Sequence, residues 1–397
     1  MPQMTYRLED VFTPASFPSF TYVSRESDWE DMTYEERLEA ALSIKGFLTY
    51  IVGNSKIGKT VLCKKVIPEE ALISVSGADF SDGNDFWTIA GQQAGMSVEG
   101  SSISASAPSD LAAQTTQAFR YKLTKDKVID HYRKNHLTLL TDDFHYAPVQ
   151  VREAIARQLK DAIGKEFSAI VISLPHRADD AIRSNPDLSG RMATIALSPW
   201  NLSDLMEIAE SGFRKLGIKA SDELLNYISR ESLASPQLIQ YICLNIGLLL
   251  KKDGPLKGTV LTREIVEKAF RRTTANFQYR EVADFLRKGP YSRGQQRRKY
   301  KTAAGTSRDL YELIIEAIAI DPPVTSLTVE ELQKRLQSLI DEEIRIQLKT
   351  IRTHLDHLQQ LIQKEIPLFR VLDWKDDCLY FLDPSFLFYL RWGPDHD

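Results

Sequence analysis

The stretch from Gly53 to Thr60, GNSKIGKT, matches the pattern G-x-x-x-x-G-K-S/T at every fixed position. Such a loop binds phosphate, because its glycines let backbone N–H groups converge on an anion with no Cβ in the way. In this pattern Lys59 reaches the β- and γ-phosphates of a nucleotide, and the hydroxyl of Thr60 is a ligand of Mg²⁺. The predicted nucleotide-binding residues of the loop are Gly53, Asn54, Ser55, Lys56, Ile57, Gly58, Lys59 and Thr60.

Two adjacent carboxylates end another apolar stretch, HLTLLTDDF. Nucleotide hydrolysis needs a carboxylate for Mg²⁺ and a group that orients the attacking water. We assign the first task to Asp142, which ends the apolar run and can hold the ion through water. We assign the second task to Asp143, which can polarise the water. The alternative is an Asp-Asp turn that caps the next helix.

Apolar segments alternate with helix-like segments through the first half of the chain and predict an α/β fold with a parallel sheet. The predicted strands are FLTYIV, ALISVSG, HLTLLTDDF, FSAIVISL and MATIALSP. Almost wholly apolar runs are typical of parallel strands that are covered on both faces. The glycine loop follows the first strand and precedes a helix, which is the context that a phosphate site requires. The Ser-rich stretch at 96–118 is predicted to be an insertion, either a flexible loop or a small hairpin.

The second half of the chain is predicted to be mainly helical. Four helices with Ser, Thr or Asn near their starts predict a small helical lid domain. Residues 287–308 follow with eight Lys or Arg and no acid, and they predict a basic linker. Three further helices and a hairpin then predict a C-terminal winged helix-turn-helix. The predicted domains are a lead-in at 1–45, a P-loop core at 46–199, a helical lid at 200–280, a basic linker at 281–308 and a winged helix at 309–397.

Composition and charge narrow the function classes. The chain has 397 residues, of which 43% are hydrophobic and 26% are charged, and its formal net charge is −4. These values are ordinary for a globular protein and give no global attraction for nucleic acid or membranes. The longest apolar run is too short to span a bilayer, the start is unlike a signal peptide, and the three cysteines fit no zinc or disulfide spacing. We expect a cytoplasmic protein that has no membrane partner.

The order of these motifs resembles the AAA+/STAND branch of P-loop ATPases, which includes origin-recognition ATPases and prokaryotic signalling and anti-phage ATPases. The resemblance rests on the P-loop and on TLLTDDF, VISLPHR, LSGRMATIALSPW and ASPQLIQ. It implies ATP and Mg²⁺ as cofactors, and it implies ATP hydrolysis. It also implies that Tyr22 and Arg25 lie near the adenine and that Ser173 lies beside the γ-phosphate. Arg191 would be an arginine finger for a neighbouring subunit, and an ordinary surface arginine is the alternative.

The lid departs from the AAA+ pattern at one point. Where relatives often carry an arginine after Gly-x-Pro, this chain reads Ala-Ser-Pro-Gln at 234–237, so the sensor-2 arginine is absent. This difference favours a STAND-like switch, in which a proline, here Pro236, contacts the nucleotide and the lid moves with nucleotide state. The resemblance then implies a homo-oligomer that controls a separate effector protein, and anti-phage defence is one of the roles it suggests.

The predicted winged helix leaves a second function open. Its third helix is expected to carry Arg345, Lys349 and Arg352 on one side, and together with the basic linker these residues could contact DNA phosphates. Glu342 and Glu343 and an acidic wing tip oppose close approach, so only weak, non-specific DNA binding is expected. The winged helix is therefore either a latch that packs on the ATPase core or a DNA reader. The two function hypotheses are an ATP-driven switch that oligomerises and controls a partner protein, and a DNA-binding AAA+ ATPase of initiator or loader type.

Overall fold

The computed structural model describes residues 6–29, 31–80, 85–97, 122–174, 190–291, 296–303, 305–341, 344–365 and 371–394, together with 182, 185 and 188. The chain divides into two compact units. The helical unit comprises Met1–Val23, Ser55–Ile57 and Pro199–Asp397, and the sheet unit comprises Ser24–Asn54 and Gly58–Ser198. Most of the predicted insertion at 96–118 lies outside the described residues, as do Arg293 of the predicted basic linker and Glu342 and Glu343 of the predicted winged helix.

The strands, in chain order, have the following bounds. They are β1 (Leu48–Val52), β2 (Leu72–Ser76), β3 (Thr138–Asp142), β4 (Ser168–Ser173), β5 (Met192–Ala196), β6 (Lys299–Lys301), β7 (Ser307–Asp309), β8 (Ser326–Thr328), β9 (Leu372–Lys375) and β10 (Cys378–Phe381).

The helices, in chain order, have the following bounds. They are α1 (Leu8–Val11), α2 (Tyr34–Ser43), α3 (Lys59–Val66), α4 (Phe86–Gln93), α5 (Lys125–Lys134), α6 (Val149–Gly164), α7 (Leu202–Leu216), α8 (Asp222–Glu231), α9 (Pro236–Asp253), α10 (Arg263–Thr274), α11 (Arg280–Lys288), α12 (Leu310–Ile318), α13 (Val329–Leu339), α14 (Leu348–Glu365) and α15 (Pro384–Trp392). No helix in the described ranges is long and apolar enough to cross a membrane.

The sheet unit is built on a five-stranded parallel sheet with the strand order β2-β3-β4-β1-β5. This sheet confirms the predicted α/β fold class, and each strand lies where an apolar run was found in the sequence. The three inner strands are almost fully buried, whereas β2 and β5 at the edges are partly exposed. Leu48 and Leu139 from the strands pack in one core with Leu159 of α6. The buried centre gives the loops at the ends of the strands a rigid base.

The helical unit contains the bundle α7–α10 that the sequence predicts. Side chains at the start of each of these helices accept a backbone N–H from the first turn, as good N-caps do. The caps are Asn201, Ser221, Ser235 and Thr262. These bonds satisfy donors that would otherwise have no partner at the helix ends.

The rest of the helical unit follows the bundle in the chain. The segment predicted as a basic linker contains α11 and the antiparallel hairpin β6–β7, so it has regular secondary structure. After it come α12, α13, α14 and a three-stranded antiparallel sheet of order β8-β10-β9. These elements have the order expected for a winged helix, and that classification stays a prediction. The aromatic helix α15 is packed into the hydrophobic core of the helical unit, with Phe386 and Phe388 fully buried.

Candidate nucleotide site

The glycine loop connects β1 to α3 at the edge of the sheet where the parallel strands end. Gly58 is the N-cap of α3 and has a φ of +99°, in the left-handed region that side chains other than glycine rarely adopt. A Cβ at this position would meet no atom within 4 Å, so the backbone conformation, and not space, requires glycine. The free N–H groups of the first turn of α3 lie at the loop and favour an anion there.

Lys59 supplies a buried cation to the loop. Its Nζ donates hydrogen bonds to the backbone carbonyls of Gly53, at 2.8 Å, and Asn54, at 2.7 Å. Burial lowers the pKa of Lys59 to about 8, and the carboxylates of Asp142 and Asp143 partly oppose that effect. A buried ammonium whose charge is penalised in this way is stabilised by an anion brought close to it. The arrangement therefore fits the predicted contact of Lys59 with phosphate.

Thr60 and Asp142 come from different elements and meet directly. The Thr60 hydroxyl donates to Asp142 Oδ2 at 2.5 Å, and the backbone N–H of Asp143 donates to Asp142 Oδ1 at 2.8 Å. Hydroxyl and carboxylate oxygens are the hard ligands that Mg²⁺ prefers, and Mg²⁺ at such sites usually takes few protein ligands besides phosphate and water. Across the described ranges no group of three or more His, Cys, Asp or Glu forms a larger metal cluster. The pair thus fits the predicted ion site.

Asp143 follows directly and has a strained backbone, with a φ of 50°. Burial raises the pKa of its carboxyl, the neighbouring Asp142 raises it further, and Lys59 opposes both. A raised pKa suits a group that must accept a proton or polarise water near neutral pH. Asp143 stands at the N-cap position of the short 3-10 turn Phe144–Tyr146 but makes no side-chain capping bond there, and Pro148 is the N-cap of α6.

Ser173 and Arg191 lie at opposite ends of the parallel strands. Ser173 is buried, ends β4 and pairs in register with Val52, directly before the glycine loop. Arg191 is exposed and precedes β5, and its carbonyl accepts the N–H of Leu48 at the start of β1 at 2.9 Å. Because β1 has five residues, the backbone of Arg191 lies about 15 Å from the start of the glycine loop. The structure therefore places Ser173 at the loop and Arg191 away from it.

The residues predicted to contact adenine and to contact nucleotide from the lid belong to both units of the chain. Arg25 is buried in the sheet unit, where its guanidinium donates to the carbonyl of Ser198 at 3.1 Å. Tyr22 belongs to the helical unit and stacks on Phe17 with 5.8 Å between ring centroids. Pro236 is the first residue of α9 in the same unit. Contacts of these residues with nucleotide stay predictions.

The contacts of Lys56 were not predicted from the sequence. This residue lies at the tip of the glycine loop, has a φ of 61° and belongs with Ser55–Ile57 to the helical unit. Its Nζ donates to Asp383 Oδ1 at 2.7 Å, to the Ser385 hydroxyl at 3.1 Å and to the Tyr279 hydroxyl at 3.5 Å. The Tyr279 hydroxyl also donates to Asp383. The Asp-Pro start of α15 signals an N-cap, but no local pattern indicates its partner 327 positions away.

Comparisons with known proteins support the fold. No protein-family model and no curated protein sequence matches the chain. Among solved structures, the chain is similar to a Walker-type ATPase of Pyrococcus abyssi at 13% identity, over 90% of this chain and 94% of that one, with a TM-score of 0.50. It is also similar to Cdc6p from Pyrobaculum aerophilum, at 12% identity over 96% and 97% of the two chains, with a TM-score of 0.46.

A third similar structure is the RuvB Holliday junction branch migration motor of Thermotoga maritima. Its identity is 12%, it covers 87% of this chain and 90% of that one, and its TM-score is 0.39. At these identities a likeness shows the fold alone, and the Pyrococcus abyssi structure carries that argument. Together with the sheet and the glycine loop, it shows that the chain has a P-loop ATPase fold.

Proposed function

We propose that the chain binds ATP with Mg²⁺, hydrolyses it, and acts as a molecular switch that assembles with further copies and controls a separate effector protein. The observation that carries the proposal is the convergence of Lys59, Thr60 and Asp142 at the end of the parallel strands. These side chains come from two elements far apart in the chain. A turn that served packing alone would not need a buried ammonium next to a hydroxyl–carboxylate pair.

Each residue has a defined task in this proposal. The backbone N–H groups of the loop and of α3 bind the phosphates, and Lys59 neutralises the β- and γ-phosphate oxygens. Thr60 and Asp142 would hold Mg²⁺, which when bound offsets negative charge on the phosphates. Asp143 orients water and accepts its proton, and Ser173 hydrogen-bonds near the γ-phosphate.

The position of Arg191 supports slow hydrolysis by a single chain and assembly into an oligomer. Phosphoryl transfer is accelerated by a cation at the developing charge, often an arginine supplied by another subunit. In the sheet unit Arg191 lies at the start of β1 and β5, whereas the loop follows the end of β1. Arg191 can therefore serve only the nucleotide of a second copy. The missing arginine after Pro236 removes another such cation.

The contacts of the loop tip support a switch. Lys56 is bound to Asp383, at the start of α15, and the Ile57 carbonyl accepts the indole N–H of Trp200 at 2.8 Å. The same loop must place its backbone N–H groups around phosphates when nucleotide binds. Nucleotide state and the contacts of Asp383 and Trp200 are therefore coupled, and coupling of this kind is reciprocal.

The test compares ATP binding and turnover in Lys59→Ala with those in Lys64→Ala. Lys64 is exposed on the same helix, so its replacement controls for the loss of a lysine from α3. Lys59→Ala is expected to abolish turnover and to weaken ATP binding strongly, whereas Lys64→Ala is expected to behave like the wild type. Wild-type turnover in Lys59→Ala would overturn the proposal.

A DNA-binding ATPase is the second candidate, and the hairpin β6–β7 is the observation that favours it. Lys299 and Lys301 are exposed on either side of the buried Tyr300, so both lie on one face of the ribbon. The predicted stripe on the third helix is weaker than expected. Helix α14 begins at Leu348, after Arg345, and Arg352 is paired with the wing residue Asp377 at 2.8 Å.

DNA binding by the hairpin should be weak and independent of sequence. Each phosphate contact releases counterions, so binding should fall steeply as salt is raised. Replacing Lys299 and Lys301 by Ala should abolish it and leave basal ATP hydrolysis unchanged. Tight, sequence-selective binding at physiological salt would instead favour the DNA-binding ATPase over the switch. A role in anti-phage defence stays a prediction from the resemblance.

A further inference from the structure

Gly77 lies beside the backbone of Asp143, the residue proposed to orient water, and the sheet register explains why. β2 and β3 are neighbouring parallel strands, and Ser76 at the end of β2 pairs with Asp142 at the end of β3. The residues that follow these two, Gly77 and Asp143, therefore leave the sheet side by side. Gly77 begins the short 3-10 turn Gly77–Asp79, and Asp143 directly precedes the 3-10 turn Phe144–Tyr146. The two turns are in contact.

The backbone at Asp143 occupies the space that a side chain at Gly77 would need. A Cβ at Gly77 would lie 2.2 Å from the Asp143 carbonyl oxygen and 2.8 Å from both the Asp143 carbonyl carbon and Phe144 Cα. All three are backbone atoms, which cannot rotate away as the end of a flexible side chain can. The Asp143 carbonyl also accepts the N–H of Tyr146 at 2.9 Å, so its displacement would disturb the whole turn.

The Gly77 side of the contact is also fixed. The Ser76 hydroxyl accepts the N–H of Ala78 at 3.2 Å, and Asp79 Oδ2 accepts the N–H of Ser76 at 2.9 Å. Phe80, directly after the turn, is buried in the core of the sheet unit. Neither turn can move freely, so any added atom at Gly77 is expected to shift the backbone of Asp143.

We propose that Gly77 is a positioning residue for Asp143, an inference that rests on the proposed ATP hydrolysis. The missing side chain lets the backbone of Asp143 lie against the end of β2. This contact sets where the Asp143 carboxylate stands relative to Asp142 and Lys59, and therefore relative to the attacking water. Gly77 touches neither nucleotide nor water in this role and acts through Asp143 alone.

The test is Gly77→Ala, with Gly164→Ala as the matched control. Gly164 ends α6 in the same unit, its φ is not positive, and a Cβ there would meet no atom within 4 Å. In Gly77→Ala, kcat should fall about 10- to 100-fold, because a displacement of about 1 Å can cost about 100-fold. The affinity for ATP and Mg²⁺ should stay within about twofold, because Lys59 and Thr60 are unchanged. Gly164→Ala should keep wild-type kcat.

A double-mutant cycle separates positioning from packing. If Gly77 acts through Asp143, Gly77→Ala should cause no further loss of kcat in an Asp143→Asn background. If Gly77→Ala lowers kcat by the same factor in the wild-type and Asp143→Asn backgrounds, the inference is overturned. It is also overturned if Gly77→Ala leaves kcat unchanged, or if it lowers kcat, ATP affinity and unfolding temperature together. Wild-type turnover in Asp143→Asn alone would instead refute the role of Asp143 in the proposed function.

A second variant keeps the inference testable if Gly77→Ala does not fold. Asp79→Ala removes the carboxylate that accepts the Ser76 N–H and loosens the Gly77 turn without adding volume. It should lower kcat in the same direction, about 3- to 10-fold, with little change in ATP affinity. Unchanged kcat in this variant would overturn the inference.

Discussion

Replacing Asp383 by Asn should tighten the binding of ATP, because Asp383 places a negative charge against the tip of the phosphate-binding loop. Its carboxylate lies 2.7 Å from Lys56 Nζ and engages a cation of the loop. ATP brings several negative charges to the same loop, so it must compete with this carboxylate for Lys56. Asn keeps the size of the side chain and is an equally good N-cap for α15, so the helix start should be preserved.

The size of the effect follows from the exposure of the pair. The side chains of Lys56 and Asp383 are 28% and 20% exposed, between a surface ion pair and a buried one. A hydrogen bond to a charged group contributes about 1.5–3 kcal/mol and a surface pair at most about 1, so we assign the contact about 1–2 kcal/mol. Because 1.4 kcal/mol corresponds to about tenfold, the Kd for ATP should fall about 5- to 30-fold.

The assay is equilibrium binding of a fluorescent ATP analogue with Mg²⁺ at low protein concentration. Asp309→Asn is the matched control, because Asp309 also caps a helix, α12, and pairs with an arginine, Arg297, at 2.9 Å. That variant should leave the Kd unchanged. A Kd for Asp383→Asn within twofold of both the wild type and Asp309→Asn, or a weaker one, would refute the competition between Asp383 and ATP.

Three further predictions follow from the site and from the C-terminal helices. Asp143→Asn should bind ATP and Mg²⁺ like the wild type and hydrolyse it slowly; if Asp142→Asn does so and Asp143→Asn is silent, the two acids have been assigned in reverse. Specific ATPase activity should rise with protein concentration, and Arg191→Ala should remove that rise at unchanged ATP affinity; flat wild-type activity would contradict an arginine finger. Burial lowers the pKa of His354 below its usual 6.5, and His357 lowers it further. Below pH 6.5 the unfolded chain binds a proton that the folded side chain resists, so the unfolding temperature should fall as the pH is lowered below 6.5, and less so in His354→Gln.

The sheet and the glycine loop could be predicted because their signals are local. Five apolar runs, each bounded by polar or glycine residues, appear as the five strands, and Gly58 follows the first with the left-handed φ that its position needs. The caps Asn201 and Ser235 could likewise be read from single positions. The helix α5 was not predicted, although its buried residues Val128, Ile129 and Tyr132 have helical spacing; it follows the Ser-rich stretch closely in the chain.

Contacts between distant segments could not be predicted in this way. The partners of Lys56 lie more than two hundred positions away, and the role of Gly77 depends on β2 pairing with β3 in one register. Arg352 was considered as a possible DNA contact on charge alone, whereas the fold pairs it with Asp377 in the turn between β9 and β10. Such pairings follow from the packing of the whole unit, and a single sequence gives no signal for them.

In the proposed function, the two ends of the parallel strands separate nucleotide binding from turnover. The groups proposed to hold nucleotide, Lys59, Thr60 and Asp142, lie where the strands end, and Arg191 directly precedes β5. The inner strands of the sheet are buried and closely packed, so the length of β1 sets the separation between these two ends. On the proposed function, one chain binds ATP with its own groups but does not bring its own Arg191 to the γ-phosphate. If Arg191 serves hydrolysis, bound ATP persists until a second copy arrives, and the rate of turnover reports assembly.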